Sequence, residues 1–182
     1  MAKRRSDNSR LVMDIILILL AVVTLLTLFI PMLKYNGSSV VGSSTTNMVG
    51  TDNIGSIFAA NGRDLTAGGN ILYNLLQGDD SAFVAGAYGW CYFITMIAAA
   101  GCLVFSLLDM LHIRLGLFNK ICALVLGLGS LVTMIFGFIV PGKMASLSLG
   151  SLANISGSVA FGLFLLLAGL VYAGLYLFQD RK

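Results

Sequence analysis

The sequence predicts an all-α membrane protein: a bundle of four transmembrane helices with a small β-containing outer loop and a short extracellular helix before the second transmembrane helix. Three observations lead to this fold class. Hydrophobic residues make up 58% of the 182 residues and charged residues only 10%, whereas about a quarter of the residues in a typical soluble domain are charged. Four apolar stretches are long enough for membrane helices. One long polar interval separates the first two.

The first apolar stretch, residues 11–33, follows a basic tail, residues 1–10. As an α-helix it would extend about 34 Å, enough to cross a hydrocarbon core of roughly 30 Å. It also exceeds the roughly 7 to 15 residues of a signal-peptide core. We therefore expect an uncleaved transmembrane helix. Asp14 lies one turn after Arg10 in this stretch, and we expect the two to form a charge pair at the interface.

The outer loop, residues 34–81, divides into two halves of different pattern. Its first half contains short β-favouring runs separated by glycines, which predict a small sheet: Ser38–Val41, Thr45–Val49 and Ser56–Ala59. In its second half, leucines and one isoleucine recur at helical spacing, which predicts a short helix over Asn70–Gln77. No cysteine lies in this loop, so it must fold without a disulfide bond.

The second apolar stretch, residues 82–108, carries Tyr88, Trp90 and Tyr92 near its outer end. Aromatic residues at such a level are typical of a membrane interface. An inner turn, residues 109–120, leads to the third stretch, residues 121–140, for which Pro141 and Gly142 are stop signals. Three segments complete the chain: a second outer loop, residues 141–157, the fourth apolar stretch, residues 158–178, and a tail, residues 179–182.

Small residues recur at helical spacing in the apolar stretches, where they allow two helices to approach closely. We expect helix packing or self-association through these faces. The residues concerned are Gly86, Gly101, Ala123, Gly127, Gly129, Thr133, Gly137, Gly162, Gly169 and Ala173.

The distribution of basic residues predicts the orientation. One side of the four-crossing arrangement has eight: Lys3, Arg4, Arg5, Arg10, Arg114, Lys120, Arg181 and Lys182. The other has three: Lys34, Arg63 and Lys143. Since basic residues favour the cytoplasmic side, we expect a multi-pass protein of the plasma membrane with both termini in the cytoplasm and the long loop outside.

Residues that could support catalysis or metal binding are scarce. All eight acids are aspartates, there is one histidine, and no CxxC, HExxH, GxSxG or phosphate-loop motif occurs. Cys91, Cys102 and Cys122 lie in apolar stretches, which favours a role as small buried hydrophobic residues. We expect no enzymatic activity and no cofactor. Without a basic stripe interleaved with aromatics, nucleic acid is also excluded as a partner.

The order of these elements resembles the claudin-like tetraspan architecture, with a cytoplasmic N-terminus, a long first outer loop of strands and a small helix, and a short second outer loop. The resemblance is one of topology. The claudin signature of a Trp, a Gly-Leu-Trp and two cysteines in the first loop is absent, since Trp90 is the only tryptophan and lies in the second apolar stretch. Pro31 followed by a Gly/Ser-rich segment is similar to small four-helix membrane proteins of bacteria without an assigned function.

Two kinds of function remain after these exclusions. The first is a structural or accessory role, in which the loop of residues 34–81 is presented to a partner, such as another membrane protein. The second is an oligomeric channel or small transporter subunit. Intramembrane ionisable residues usually mark a transport path, and the centres of the apolar stretches contain only Ser, Thr and Cys as polar residues. The sequence therefore favours the accessory role, in contact with the lipid bilayer.

Overall fold

A computed structural model describes residues 2–39, 42–59, 80–111, 113, 115–145 and 153–179. This part of the chain is mostly helical, with one three-stranded sheet. The elements are α1 (Ala2–Leu26), β1 (Pro31–Ser39), β2 (Gly42–Val49), α2 (Gly50–Ala59), α3 (Asp80–Met110), α4 (Gly116–Ala145), β3 (Ala153–Val159), α5 (Phe161–Phe164) and α6 (Leu167–Gln179).

The long helices pack in a ring, in which α1 and α4 each contact both α3 and α6. Three helical spans are long and apolar enough to cross a membrane: Ala87–Met110, Gly116–Gly142 and Phe161–Phe178. A fourth apolar helix, Leu11–Leu26, is shorter. Large hydrophobic side chains such as Leu19, Ile97 and Leu128 are more than half exposed on the outside of the ring. A surface of this kind suits lipid, and we conclude that the chain is a membrane protein.

The interior of the ring is filled largely by small and branched side chains. Leu17 and Ala21 of α1 meet Ala99 of α3 and Leu126 of α4 in one buried cluster. Cys102 and Tyr172 belong to the same cluster, and all three cysteines of the chain are free thiols.

The sheet joins the two segments that were expected to be separate outer loops. Its strand order is β2-β1-β3, and both pairings are antiparallel. Lys34 of the central strand lies opposite Asn47 of β2 and opposite Ser158 of β3. β3 also packs against α4. The expected second loop, residues 141–157, is therefore partly helix and partly strand.

The first apolar helix ends seven residues earlier than expected. α1 stops at Leu26, and a 3₁₀ turn follows, in which the backbone N–H groups of Thr27, Leu28 and Phe29 donate to carbonyls three residues back. Pro31 then begins β1. Proline disfavours the α conformation in the residue before it, so the apolar residues at positions 31–33 extend the strand instead of the helix.

The predicted strand at Ser56–Ala59 is wrong, because these residues form the end of α2. The helix starts where the Asp52 carboxylate accepts a hydrogen bond of 3.0 Å from the Val49 backbone N–H. This is the reciprocal half of a capping box, which stabilises a helix start. The predicted strands at Ser38–Val41 and Thr45–Val49 fall on β1, β2 and the undescribed residues 40–41. The predicted helix at Asn70–Gln77 lies outside the described residues.

The third membrane helix does not end at Pro141. α4 starts at Gly116 and continues through Pro141 to Ala145. A proline inside a helix removes one backbone hydrogen bond, but neighbouring elements make this tolerable in membrane helices, and here α4 packs along β3. α3 extends to Met110, so the inner turn is shorter than residues 109–120.

The last apolar helix starts at Phe161, not at residue 158, because the preceding residues pair with β1 as β3. It is interrupted between α5 and α6. There, the N–H groups of Ala168 and Gly169 donate to the carbonyls of Leu165 and Leu166, both at 3.0 Å. These i to i−3 bonds are those of a 3₁₀ segment, which is narrower than an α-helix.

A close approach of α5 to the start of β1 gives a first testable prediction. A Cβ on Gly162 would lie 2.6 Å from the Pro31 carbonyl oxygen and 3.0 Å from that of Ile30. Because backbone cannot move aside easily, Gly162→Ala should lower the free energy of unfolding by about 1–3 kcal/mol. The measurement is denaturant unfolding in detergent micelles. Gly174→Ala is the matched control, since a Cβ there meets open space; equal stability of the two variants would contradict the packing described.

Candidate interaction surface

One face of the sheet is exposed and polar. Side chains on alternate positions of its strands are exposed, and the register aligns them across the sheet. We call this set the polar face: Lys34, Asn36, Ser43, Thr45, Asn47 and Ser158. Among its six exposed members there is no apolar side chain and one charge, so the surface offers mainly hydroxyl and amide groups.

The opposite face of the sheet is buried where Leu33 and Met48 meet the bundle and partly buried elsewhere. Leu33 and Met48 lie opposite each other across β1 and β2, and they are 1% and 0% exposed. Val159 is the neighbour of Leu33 on the other side, and it packs against the buried cluster that contains Met96 and Leu166. The sheet is therefore fixed on the bundle by one face, which leaves the polar face free to meet solvent.

A buried hydrogen-bond pair connects α1 to α3 directly below the sheet. The Thr27 hydroxyl lies 2.7 Å from the Thr24 carbonyl oxygen and 3.0 Å from the Tyr92 hydroxyl. The carbonyl can only accept, and the threonine hydroxyl has one proton, so Tyr92 donates to Thr27 and Thr27 donates to Thr24. This pair fixes the turn that connects α1 to β1.

A second buried pair connects α2 to α3. The Asn53 side-chain N–H donates to the Tyr88 hydroxyl at 3.2 Å and to the Met32 sulfur at 3.5 Å. α2 also lies directly over the first pair, because a Cβ on Gly50 would overlap the Tyr92 hydroxyl and lie 2.5 Å from the Thr27 carbonyl oxygen. The sheet, α2 and two membrane helices therefore meet in one buried polar junction.

The two tyrosines of this junction, expected to form part of an interfacial aromatic belt, are covered by the protein itself. Tyr88 and Tyr92 are both 0% exposed, whereas Trp90 between them is 52% exposed. The sheet and α2 cover the face of α3 on which the two tyrosines lie. Neither sequence spacing nor hydropathy distinguishes a covered tyrosine from one that faces lipid headgroups.

Most of the small residues singled out for helix packing lie against a neighbouring element. A Cβ on Gly127 would lie 2.6 Å from that of Ala173, and one on Gly137 would lie 2.5 Å from Leu163. The others have these neighbours: Gly129 lies on Thr95, Gly169 on Ser130, Gly162 on Pro31 and Gly101 on Cys122, while Ala123 and Thr133 are buried.

Two of the predicted positions fall outside the described side chains. Gly86 lies within α3 and Arg10 within α1, but their surroundings are not described. The predicted pair of Arg10 with Asp14 stays a prediction.

A polar network that the sequence did not reveal links three helices at the end of the bundle opposite the sheet. The Tyr172 hydroxyl of α6 lies 2.7 Å from the Ser106 hydroxyl of α3 and 3.1 Å from the Asn119 side-chain oxygen of α4. The Asn119 amide donates in turn to Asp109 at 3.3 Å. Each residue alone looks like an isolated polar side chain, because the network joins positions up to 66 residues apart.

The polar groups inside the bundle mostly pair with one another. Thr95 donates to the Cys91 carbonyl at 2.6 Å and lies 3.4 Å from the Thr133 hydroxyl. Within the described ranges, no three His, Cys, Asp or Glu residues lie together as metal ligands would.

Protein-family models, curated proteins and solved structures were compared with the chain, and none matches. The polar face is thus the feature from which a function is best argued.

The hydrogen bond between Thr27 and Tyr92 gives a second prediction. In a double-mutant cycle of Thr27→Val and Tyr92→Phe, we expect a coupling energy of about 0.5–1.5 kcal/mol, because each change removes the same buried bond. Unfolding in micelles measures it, and hydrogen exchange should show lower protection of β1 amides. Tyr172→Phe is the control: it should reduce stability without changing β1 protection. Additive effects of the two substitutions would contradict the assignment.

Proposed function

We propose that this protein is a non-enzymatic membrane protein that crosses the plasma membrane four times and presents its polar face to a partner outside the cell. One observation carries the proposal: segments from both expected outer loops form a single sheet, and Met32 and Val159 of that sheet pack in a buried cluster with side chains of the helices. A surface attached in this way is already ordered before a partner binds, which lowers the conformational entropy lost on binding.

The length of α1 supports a fourth crossing. Its apolar part, Leu11–Leu26, has 16 residues, or about 24 Å of α-helix. The three residues of the 3₁₀ turn after it add roughly 6 Å at about 2.0 Å each. The sum of about 30 Å matches the hydrocarbon thickness of a typical bilayer. Four crossings would leave both termini on the cytoplasmic side, as the basic residues favour.

The packing inside the ring argues against a pore through one chain. Where glycines leave space on α4, side chains of other helices fill it, with Ala173 on Gly127, Thr95 on Gly129 and Leu163 on Gly137. A channel would therefore have to form between several copies. The claudin-like order of elements belongs to this proposal as a topology only, because the residues that define claudins are absent.

The proposed topology predicts which positions an impermeant thiol reagent reaches. In a variant without the three native cysteines, Thr45→Cys should react from outside the cell, because Thr45 is exposed on the sheet. Ile113→Cys, in the turn between α3 and α4, should react only after the membrane is opened. Labelling of intact cells followed by gel-shift measurement tests both positions. The reverse pattern would contradict the orientation, and labelling of both positions from outside would contradict the single crossing by α3 that separates them.

Presentation of the polar face predicts position-dependent crosslinking. A photo-crosslinking amino acid at Thr45 in intact cells should give discrete adducts, and the same group at Leu128, which is 57% exposed on the apolar ring, should give only lipid adducts. In liposomes, the purified chain should not raise ion or solute flux above that of empty liposomes. Flux that Thr133→Val changes would contradict the proposal and favour a channel between copies.

A further inference from the structure

We infer that the turn between α3 and α4 inserts into the headgroup layer of the membrane at the end of the bundle opposite the sheet, where it contacts lipid instead of projecting into water. This surface is separate from the polar face, so the inference does not depend on the partner proposed above. Three kinds of observation support it: the exposed side chains of the turn, the position of the turn relative to the two membrane spans, and the hydrogen bonds of its backbone.

The turn is apolar, although turns in water are mostly polar. Gly, Pro, Asn, Asp and Ser dominate such turns, whereas this turn carries four large aliphatic side chains that are all exposed. We name these four side chains the apolar turn: Leu111 at 70%, Ile113 at 52%, Leu115 at 38% and Leu117 at 70% exposure. A group of exposed apolar side chains of this kind marks a surface that meets a membrane or a partner.

The apolar turn adjoins the lipid-facing surface of the ring. Leu107 precedes it on α3 and Ile121 follows it on α4, and both are exposed. Phe118 stacks on Phe105, with the ring centroids 6.2 Å apart. Because Phe105 belongs to the membrane span Ala87–Met110, Phe118 lies at membrane depth although it follows the turn closely in sequence. Lipid that contacts the ring is therefore also next to the turn, which favours lipid over a soluble partner as the occupant.

The lengths of the two spans place the turn at the level of the headgroups. Ala87–Met110 has 24 residues and Gly116–Gly142 has 27, or about 36 and 40 Å of α-helix. The hydrocarbon core is about 30 Å thick, and the bilayer with its headgroups about 40–45 Å. With the spans centred in the bilayer, residues 111–115 lie among the headgroups. Ile113, at the tip of the turn, stays within reach of a water-soluble thiol reagent on that side.

The backbone of the turn is hydrogen-bonded within the chain where α3 ends. The Leu111 N–H donates to the Leu107 carbonyl at 3.1 Å. The Ile113 N–H donates to the Leu108 carbonyl at 2.9 Å, a bond over five residues of the kind that closes helix C-termini. Backbone groups without a partner are costly where water is scarce. These bonds therefore lower the cost of placing the turn in the membrane.

Tryptophan fluorescence of the full-length chain in vesicles tests the inference. Trp90 is the only tryptophan, so Trp90→Phe gives a background in which Leu111→Trp and Leu117→Trp report on the two sides of the turn. Both positions are highly exposed, so neither change disturbs packing. The vesicles contain phosphatidylcholine brominated either near the headgroup end or near the methyl end of the acyl chain. We expect emission at shorter wavelength than from Thr45→Trp, and stronger quenching by the shallow bromine than by the deep one.

Two control variants in the same background calibrate the measurement. Thr45→Trp, on the polar face, should be quenched by acrylamide in the water and by neither lipid. Leu128→Trp, in the middle of the α4 span, should be quenched most by the deep bromine. Acrylamide should quench Leu111→Trp and Leu117→Trp several-fold less than Thr45→Trp.

Two results would overturn the inference. In the first, acrylamide quenches Leu111→Trp and Leu117→Trp as strongly as Thr45→Trp, which would place the turn in water. In the second, neither brominated lipid quenches them; if acrylamide does not reach them either, a second copy of the chain covers the turn. Far-ultraviolet circular dichroism checks that each variant keeps its helices.

Discussion

The double pairing of β1 is the interaction on which the outer part of this protein depends. A strand that leaves a membrane helix carries backbone N–H and C=O groups on both edges, and an isolated hairpin is at best marginally stable in water. Here β2 satisfies one edge and β3 the other, although β3 lies more than 110 residues further along the chain. The pairing turns two loops into one layer, and it determines which residues face the bundle and which face solvent.

Beneath this layer, polar contacts recur at three levels of an otherwise apolar bundle. Thr27, Tyr92 and Asn53 lie under the sheet, Thr95 and Thr133 lie near the middle, and Tyr172 joins α3 and α4 at the far end. Helices in lipid gain little from hydrophobic burial against each other, so packing and hydrogen bonds decide which faces meet. The glycine contacts bring the helices close enough for these bonds. Ser130, packed on Gly169, is fully buried and makes no hydrogen bond within the described part of the chain, so close packing alone operates there.

The sequence predicts that long apolar helices exist, because length and hydropathy are properties of single segments, but it does not predict where α1, α4 and the last helix begin or end. It places α3, most of α4 and the existence of β1 and β2 correctly. It misses β3, because a Ser/Gly-rich run such as Ala153–Val159 becomes a strand only when a distant partner is present. It also misassigns Ser56–Ala59, where the Asp52 cap fixes a helix start that hydropathy does not reveal. The burial of Tyr88 and Tyr92 could not be predicted either, because it results from α2 and the sheet packing over them.

The position of β3 immediately before the last membrane helix has a consequence for assembly in the cell. During synthesis, β1 and β2 emerge early, but the third strand exists only after most of the chain has been made. The free edge of β1 therefore stays open until the final segment is inserted with β3 on the same side of the membrane as β1. A chain whose last helix is not inserted, or is inserted the wrong way round, would keep an unpaired strand edge, which is a known site of aggregation. A complete sheet therefore requires that the last helix has been inserted correctly.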